Sequence, residues 1–232
     1  VALFVFFLLR LAPGDPAAII AGEDATSEAI AAVRMKLGLD RPLVEQFVVW
    51  VWALLQGDLG VSIFSNLPVT RLMAQRVEPT IALMLSTLFV AVSLAIPIGV
   101  VAAWKARKLV DRLVMGFAVL GFAMPVFVLA YVLIYFFAVQ WQLLPVQGYQ
   151  PLSAGLWPFV ESLILPSVAL GVTYMALIAR ITRASMLEVL QQDYIRTANA
   201  KGLATDRVLL LHALKNASVP NVTVIGIGIA LL

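Results

Sequence analysis

The sequence predicts an all-α, polytopic membrane protein built as a bundle of transmembrane helices. Of its 232 residues, 62% are hydrophobic and only 12% are charged, about half the charged share of a typical soluble domain. Four stretches contain no Asp, Glu, Lys or Arg, namely 79–104, 113–160, 162–179 and 216–232. Because a membrane-spanning helix needs about 20 apolar residues, these stretches predict spans rather than a soluble core.

The part of the chain before residue 79 is predicted to contain a helix end and a helical segment outside the membrane. Residues 1–11 are expected to form the end of a first transmembrane helix. Residues 12–78 are of mixed polarity and predict an extracytoplasmic helical segment. Small polar or acidic residues that precede helical patterns favour N-caps, and the caps predicted here are Asp15, Ser27 and Asp40.

The transmembrane domain is predicted over residues 79–232. Its spans are expected at about 79–104, 113–139, 158–179 and 218–232. Pro79 is predicted to open the first of these spans, because proline is favoured in the first turn of a helix. The apolar run that begins at Val1 is too short to cross a bilayer, and the last run stops at Leu232. Both ends are therefore predicted to be truncated within transmembrane helices.

The charge of the loops predicts the orientation of the spans. Residues 105–112 hold four Lys or Arg against one acid, and residues 180–215 hold six against three. Residues 140–157 hold no charge. Because cytoplasmic loops carry the excess of Lys and Arg, the segments 105–112 and 180–217 are predicted to be cytoplasmic. Residues 12–78 and 140–157 are then predicted to lie on the outer side.

Several kinds of chemistry are disfavoured by composition. The chain has no cysteine and one histidine, His212, which cannot supply a disulfide or a usual metal site. It lacks the glycine-rich phosphate loop that ends in Lys-Ser or Lys-Thr, so we expect it not to bind ATP itself. Inside the complete spans the only charged residue is Glu161, whereas ion-coupled carriers need such a group at membrane depth. We therefore expect no catalytic residue, metal or cofactor, and any energy for transport must come from a partner.

The charged segment after the fourth span predicts a rigid helix–turn–helix. One helix is expected to continue from that span to Gly202, because glycine ends helices in the left-handed conformation. A second helix is predicted to be capped by Thr205 or Asp206 and to run to about Asn216. Both arms join membrane spans, so such a unit can transmit force.

The same segment resembles the coupling loop of ABC importer permeases. It reads Asp193-Tyr194-Ile195-Arg196-Thr197-Ala198-Asn199-Ala200-Lys201-Gly202-Leu203 and, later, His212-Ala213-Leu214-Lys215-Asn216-Ala217 and Pro220. The general Glu-Ala-Ala-x3-Gly motif is only partly kept, but the departures are similar to the dipeptide, oligopeptide and nickel branch. The likeness continues at Leu9 to Pro16, Leu37 to Leu43, Gly57 to Ser62, Glu78-Pro79-Thr80 and Met124-Pro125. It covers essentially the whole chain, and the six spans of that family imply that part of the first, part of the fifth and all of the sixth are missing.

The resemblance implies a type I ABC importer permease subunit in the bacterial inner membrane, with residues 12–78 and 140–157 in the periplasm. The implied partners are a homologous second permease, two ATPase subunits, a periplasmic solute-binding protein and membrane lipid, with no nucleic acid. Peptides are the expected solute. Nickel, glutathione or an opine-like solute remains an alternative, as does an inert truncated remnant that assembles with nothing.

The resemblance also implies which residues meet the ATPase. The candidates are Glu188, Asp193, Tyr194, Arg196, Thr197, Ala198, Ala200, Lys201 and Gly202. Gly202 is expected to matter for its backbone, and the charges can equally be solvated without contact. Three helix breakers inside the predicted spans, Pro97, Gly99 and Pro125, are candidates for lining the pathway or kinking a helix. Static packing is the alternative for these three.

Overall fold

The computed structural model describes residues 3–4, 6–7, 14–22, 25–62, 65 and 67–231. In these residues the regular elements are helices, with one isolated antiparallel bridge between Val61 and Pro68. The chain forms two compact units, Val1–Val77 and Glu78–Leu232. The predicted all-α fold is thus confirmed. Most of the predicted helix end at residues 1–11 lies outside the described residues.

In the first unit, the structure delimits three short helices among the residues from Gly14 onward that it describes, α1 (Pro16–Ala21), α2 (Ser27–Lys36) and α3 (Leu43–Leu55). The Asp15 carboxylate caps α1 as predicted, since it accepts a hydrogen bond from the Ala17 amide at 3.0 Å. It also pairs with Arg34 of α2 at 2.6 Å. This one carboxylate therefore both starts α1 and ties it to α2.

The other two predicted caps are wrong. Thr26, not Ser27, caps α2, because its extended backbone lets its hydroxyl accept from the Ala29 amide at 3.3 Å. Pro42, not Asp40, precedes α3 and makes no side-chain cap. The φ of proline is fixed near the helical value, so the chain can enter α3 directly after Pro42.

The second unit centres on one long helix. The remaining helices are α4 (Val69–Trp104), α5 (Leu109–Ala123), α6 (Val126–Gln140), α7 (Leu156–Val189), α8 (Asp193–Ala200), α9 (Thr205–Ala217) and α10 (Val219–Leu231). Helix α7 contacts α5, α6, α9 and α10. The second half of α6 and the middle of α9 have π-helical hydrogen bonding.

Among the described residues, α4 and α7 are each long and apolar enough to cross a membrane. Two further pairs meet the same test only if each is taken as one bent span, α5 with α6 at 101° and α9 with α10 at 56°. The described part therefore holds two spans, or up to four. The four spans expected over residues 79–232 stay a prediction.

Two helix boundaries differ from the prediction. Helix α4 begins at Val69 and contains Pro79 in its interior, because residues 69–78 include strong helix formers such as Leu72 and Ala74. The expected single helix over 113–139 is broken at Met124 and Pro125. The backbone of Met124 is extended, as sterics favour for the residue before a proline.

Small residues bring α4 against α7. Ala91 and Ala95 are fully buried, and the hydroxyls of Ser86 and Ser167 lie 2.7 Å apart across the two helices. A Cβ placed on Gly99 would lie 2.6 Å from the Cβ of Thr182. Small side chains let membrane helices approach closely, so this row sets the α4–α7 distance and fixes the base from which α8 and α9 project.

Candidate functional site

The candidate site is the helix–turn–helix that follows α7. The prediction of one continuous helix to Gly202 is wrong, because α7 ends at Val189 and α8 starts at Asp193. Gln192 between them has an extended backbone. The acidic Asp193 favours a helix N-terminus, where the helix dipole is positive. The unit thus has three helical pieces, α7, α8 and α9.

The predicted stop at Gly202 is confirmed. Its φ is +74°, its amide donates to the Asn199 carbonyl at 3.0 Å, and the Leu203 amide donates to the Ala198 carbonyl at 3.3 Å. These two bonds form a Schellman motif, which ends helices at a left-handed glycine. A Cβ on Gly202 would have no neighbour within 4 Å. The requirement for glycine is therefore conformational and not steric.

The start of α9 differs from the prediction. The N-cap is Ala204, which has an extended backbone and no side chain able to cap, so neither Thr205 nor Asp206 acts as the cap. The apolar run that follows, from Val208 to Leu214, is buried on one face only. Leu209 is buried, but Leu211 is 64% exposed, because a helix turns only one face toward its base.

The underside of the helix–turn–helix is a packed apolar cluster. Its buried members come from four helices and are Val100, Ala103, Met186, Ile195, Ala198, Val208, Leu209, Ala213 and Ala217. They seat α8 and α9 on the end of α4 and on α7. A unit held in this way moves as a body with the helices beneath it, because packed interiors transmit displacement.

The predicted contact residues divide between this underside and an outer face. Ala198 is 7% exposed and belongs to the apolar cluster. The outer face consists of Glu188, Asp193, Tyr194, Arg196, Thr197, Ala200, Lys201 and Gly202, all of which are exposed. The Tyr194 hydroxyl accepts a hydrogen bond from the Asn216 amide at 2.9 Å. Tyr194 therefore ties α8 to α9 at the edge of the unit.

Within the part of the chain that the structure describes, the charges of the outer face form one ion pair, and it is exposed. Asp193 and Arg196 form an ion pair at 3.3 Å, but their side chains are 95% and 75% exposed. Exposed pairs of this kind contribute little to stability. The outer face thus offers both signs of charge to a partner at little cost to the fold.

One ion pair that sequence reasoning missed braces this region. Asp111 at the start of α5 is 4% exposed, and Arg183 of α7 donates to both of its oxygens, at 2.5 and 2.7 Å. The Arg107 amide also donates to this carboxylate, at 2.8 Å, and Arg107 has a left-handed φ of +66°. The available signal was a single acid within the basic segment 105–112, but its partner lies 72 residues further along the chain.

The three helix breakers lie in different settings. Pro97 is inside α4, which continues through it. Gly99 lies against Thr182 and the Ala179 carbonyl of α7, so it is a close-packing position. Pro125 precedes α6 at the 101° bend.

At the other end of α7, a cavity of about 310 Å³ lies between α4, α6, α7 and the 141–155 loop. Tyr149 lines this cavity, and its hydroxyl donates to the Glu78 carboxylate at 2.9 Å, which also accepts from the Leu152 amide at 3.1 Å. Partial burial raises the pKa of Tyr149 above its ordinary value, and the hydrogen bond and charge of Glu78 raise it further. Within the described residues no cluster of three or more His, Asp or Glu side chains could hold a metal.

Long apolar helices that carry an exposed helix–turn–helix are typical of an integral membrane protein. Residues 95–232 match the family described as binding-protein-dependent transport system inner membrane component, and residues 1–95 match its N-terminal region. The chain belongs to this family, as its resemblance predicted.

Relatives with curated names support this membership. The chain is 53% identical over 230 residues to a probable peptide ABC transporter permease protein of Sinorhizobium fredii, covering 99% of this chain and 74% of the relative. It is 38% identical over 256 residues to the dipeptide transport system permease protein DppB of Escherichia coli, covering 100% and 76%. It is 41% identical over 232 residues to a putative peptide transport system permease protein of Brucella abortus, covering 100% and 74%.

Proposed function

We propose that this chain is the permease subunit of an ATP-driven importer that carries peptides across the bacterial inner membrane. The observation that carries the proposal is the helix–turn–helix, whose underside is packed on α4 and α7 and whose outer face is exposed. That arrangement suits a surface through which a separate motor moves membrane helices. The names of the relatives supply peptides as the solute.

The partners proposed are a homologous permease, two ATPase subunits and a periplasmic solute-binding protein. The outer face of α8 and the turn at Gly202 would dock on the ATPase, and ATP hydrolysis would belong to that subunit. ATP binding can turn the pathway outward only if the ATP-bound motor binds the outward state more tightly. The cluster beneath α8 would then pass the motion to α4 and α7.

The proposed orientation places 105–112 and 180–217 in the cytoplasm, with 12–78 and 140–157 in the periplasm. The Asp111–Arg183 pair supports a shared side for the first two segments, because it joins them directly. The excess of Lys and Arg in both supports the cytoplasm as that side.

The alternatives have less support. The relatives' names refer to peptides and dipeptides, which favours peptides over nickel, glutathione or an opine-like solute. A packed, complete helix–turn–helix is also what a working subunit needs and an inert remnant does not.

The test is to isolate the complex from its native membrane through an affinity tag on this chain. ATPase subunits should co-purify, and vesicles containing the complex should take up a labelled dipeptide only with ATP and the binding protein. Absence of any ATPase subunit would favour the remnant. Uptake of Ni²⁺ but not of peptides would favour the alternative solute.

A further inference from the structure

One helical turn of α7, residues 182–186, contacts three other helices and the helix–turn–helix. Met186 is fully buried in the apolar cluster beneath α8 and α9. Thr182, one turn earlier, is also fully buried and lies against Gly99 of α4. Packed side chains transmit displacement, so a movement of α8 and α9 reaches α4 and this turn of α7 directly.

The same apolar cluster contains no described residue of α5 or α10. Helix α10 follows α9 after a bend of 56°, so continuity of the backbone does not by itself fix its direction. Packed helices can also slide past one another by small amounts. A movement of α8 and α9 therefore needs further contacts if α5 and α10 are to follow it.

The contact of this turn with α5 is an ion pair. Arg183 donates to both oxygens of the Asp111 carboxylate, and Asp111 is 4% exposed. The same carboxylate accepts from the Arg107 amide at 2.8 Å, just before α5 begins. Two parallel hydrogen bonds between a guanidinium and a carboxylate fix orientation as well as distance. The start of α5 is therefore held to α7 in both respects.

The contact of this turn with α10 is a hydrogen bond at a buried polar side chain. The Thr182 hydroxyl donates to Oδ1 of Asn221 at 3.1 Å and to the Ile178 carbonyl at 2.8 Å. Asn221 is 1% exposed, and its amide nitrogen has no hydrogen-bond partner in the described part of the chain. A buried donor without a partner costs free energy, so an apolar side chain would suit stability better. Asn221 therefore points to a purpose other than stability.

Both of these helices lead toward the opposite end of α7. Helix α5 ends before Met124, and the chain bends there into α6, which lines the cavity of about 310 Å³. Helix α10 runs back along α7, where a Cβ on Gly228 would lie 3.2 Å from the Tyr174 ring. A change in the direction of α5 or α10 at residues 182–186 thus alters the spacing of helices further along the bundle.

We propose that Arg183 and Thr182 are positioning residues of peptide transport, which make α5 and α10 follow α7 when the motor displaces the helix–turn–helix. Directional polar contacts pass on a rotation or shift of α7, whereas apolar helix surfaces can slide. This inference rests on the proposed function. It assigns one step of that function, the transfer of movement from the coupling surface to the pathway, to two contacts.

The test measures two quantities for the assembled importer. One is the number of peptides taken up per ATP hydrolysed in vesicles supplied with binding protein, and the other is the thermal unfolding midpoint in detergent. Arg183→Met leaves the buried Asp111 without its counter-charge and should lower both. Adding Asp111→Asn removes that charge but keeps an oxygen for the Arg107 amide, so the midpoint should largely recover. The peptide-to-ATP ratio of this double variant should stay about tenfold below wild type, the loss expected for one hydrogen bond to a charged group.

Thr182 allows a matched pair of variants. Thr182→Val keeps the shape that packs on Gly99 but cannot donate to Asn221, and should lower the ratio about fivefold, the loss expected for one neutral hydrogen bond. Thr182→Ser keeps the hydroxyl and should stay near the wild-type ratio. The control, Arg41→Met with Glu45→Gln, breaks an exposed ion pair of the first unit and should change neither the ratio nor the midpoint.

Each part of the inference has an opposing outcome. A double variant whose ratio returns to the wild-type value together with its midpoint would show that the ion pair serves stability alone. Equal ratios for Thr182→Val and Thr182→Ser would overturn the role of the hydrogen bond. Loss of ATPase stimulation with an unchanged ratio would place the two contacts in docking of the motor instead. Wild-type vesicles without ATP-dependent peptide uptake would defeat the proposed function itself, and this inference with it.

Discussion

The carboxylate of Asp111 and the guanidinium of Arg183 form a bidentate ion pair that joins the start of α5 to the last third of α7. Asp111 is 4% exposed, and the Arg183 side chain is 25% exposed. Removal of one partner from a buried pair leaves the other charge without compensation, which costs about 3–5 kcal/mol. We expect the lower end of that range here, because Arg183 keeps some contact with solvent.

Asp111→Asn should therefore lower the free energy of unfolding of the purified protein by about 3 kcal/mol. The loss should be seen as a lower thermal unfolding midpoint in detergent. The double variant with Arg183→Gln should be less destabilised than the sum of the two single variants. Asp193→Asn is the matched control, since it makes the same change in a pair that is almost fully exposed. Equal losses of stability for Asp111→Asn and Asp193→Asn would show that the buried pair contributes no more to stability than the exposed one.

Sequence patterns located the helices of the second unit because their signals are local. Uncharged stretches predicted where α4, α7 and α10 lie, and glycine chemistry predicted the stop at Gly202. Pro125 was named as a possible kink, but a break of 101° at this position was not predicted, because the uncharged stretch that contains it is apolar on both sides of the break. Composition cannot distinguish a straight span from a broken one of equal hydropathy.

Long-range features of the site were beyond sequence reasoning for a different reason. Nothing near Asp111 in the chain indicates Arg183, and nothing near Ala198 indicates the α4 residues that bury it. The contact residues of α8 were predicted by resemblance to a family motif. A motif identifies the positions that belong to it, but only the packing of the helices shows which of these positions face outward.

Gly99 sets the approach of α4 to α7. A Cβ at this position would lie 2.6 Å from the Thr182 Cβ and 2.8 Å from the Ala179 carbonyl oxygen, so the helices would have to separate. Gly99→Ala should destabilise the protein by about 1–3 kcal/mol, the usual cost of overpacking. The measurement is the thermal midpoint in detergent.

Gly116→Ala is the control for Gly99→Ala. A Cβ on Gly116 would meet nothing within 4 Å, and alanine is favoured over glycine in a helix by about 0.5–1 kcal/mol. Its midpoint should stay level or rise. A Gly99→Ala protein as stable as the Gly116→Ala protein would contradict the close approach of α4 to α7.

Because the pKa of Tyr149 is raised, we expect the protein to lose stability at alkaline pH. This pKa is raised above the ordinary value of 10.0, first by partial burial and then by Glu78, so the folded protein holds the phenol proton more tightly than the unfolded chain. The stabilisation is complete below pH 10.0 and is lost as the pH rises above that value. Between about pH 9 and 11 the unfolding midpoint of wild type should fall more steeply than that of Tyr149→Phe.

Glu78→Gln refines the same experiment. It removes the charge that Tyr149 faces but leaves the burial, which is the largest single cause of the raised pKa. Its pH profile should lie between those of wild type and Tyr149→Phe. Identical profiles for all three proteins would mean that Tyr149 does not contribute to the alkaline transition.

Gly202 gives the sharpest test of the coupling proposal, because its requirement is conformational alone. At φ +74° an L-residue costs about 1–2 kcal/mol, and asparagine tolerates this region better than other residues. The order of effect should be Val, then Ala, then Asn, although a Cβ meets no neighbour in any of them. Gly202→Val should abolish the stimulation of ATPase activity by peptide-loaded binding protein together with peptide uptake, whereas Gly202→Asn should keep most of both. Full stimulation and full uptake by the Gly202→Val complex would show that the conformation of the turn is not needed for coupling. A Gly202→Asn complex as impaired as Gly202→Val would indicate that the partner requires a residue without a side chain at this position.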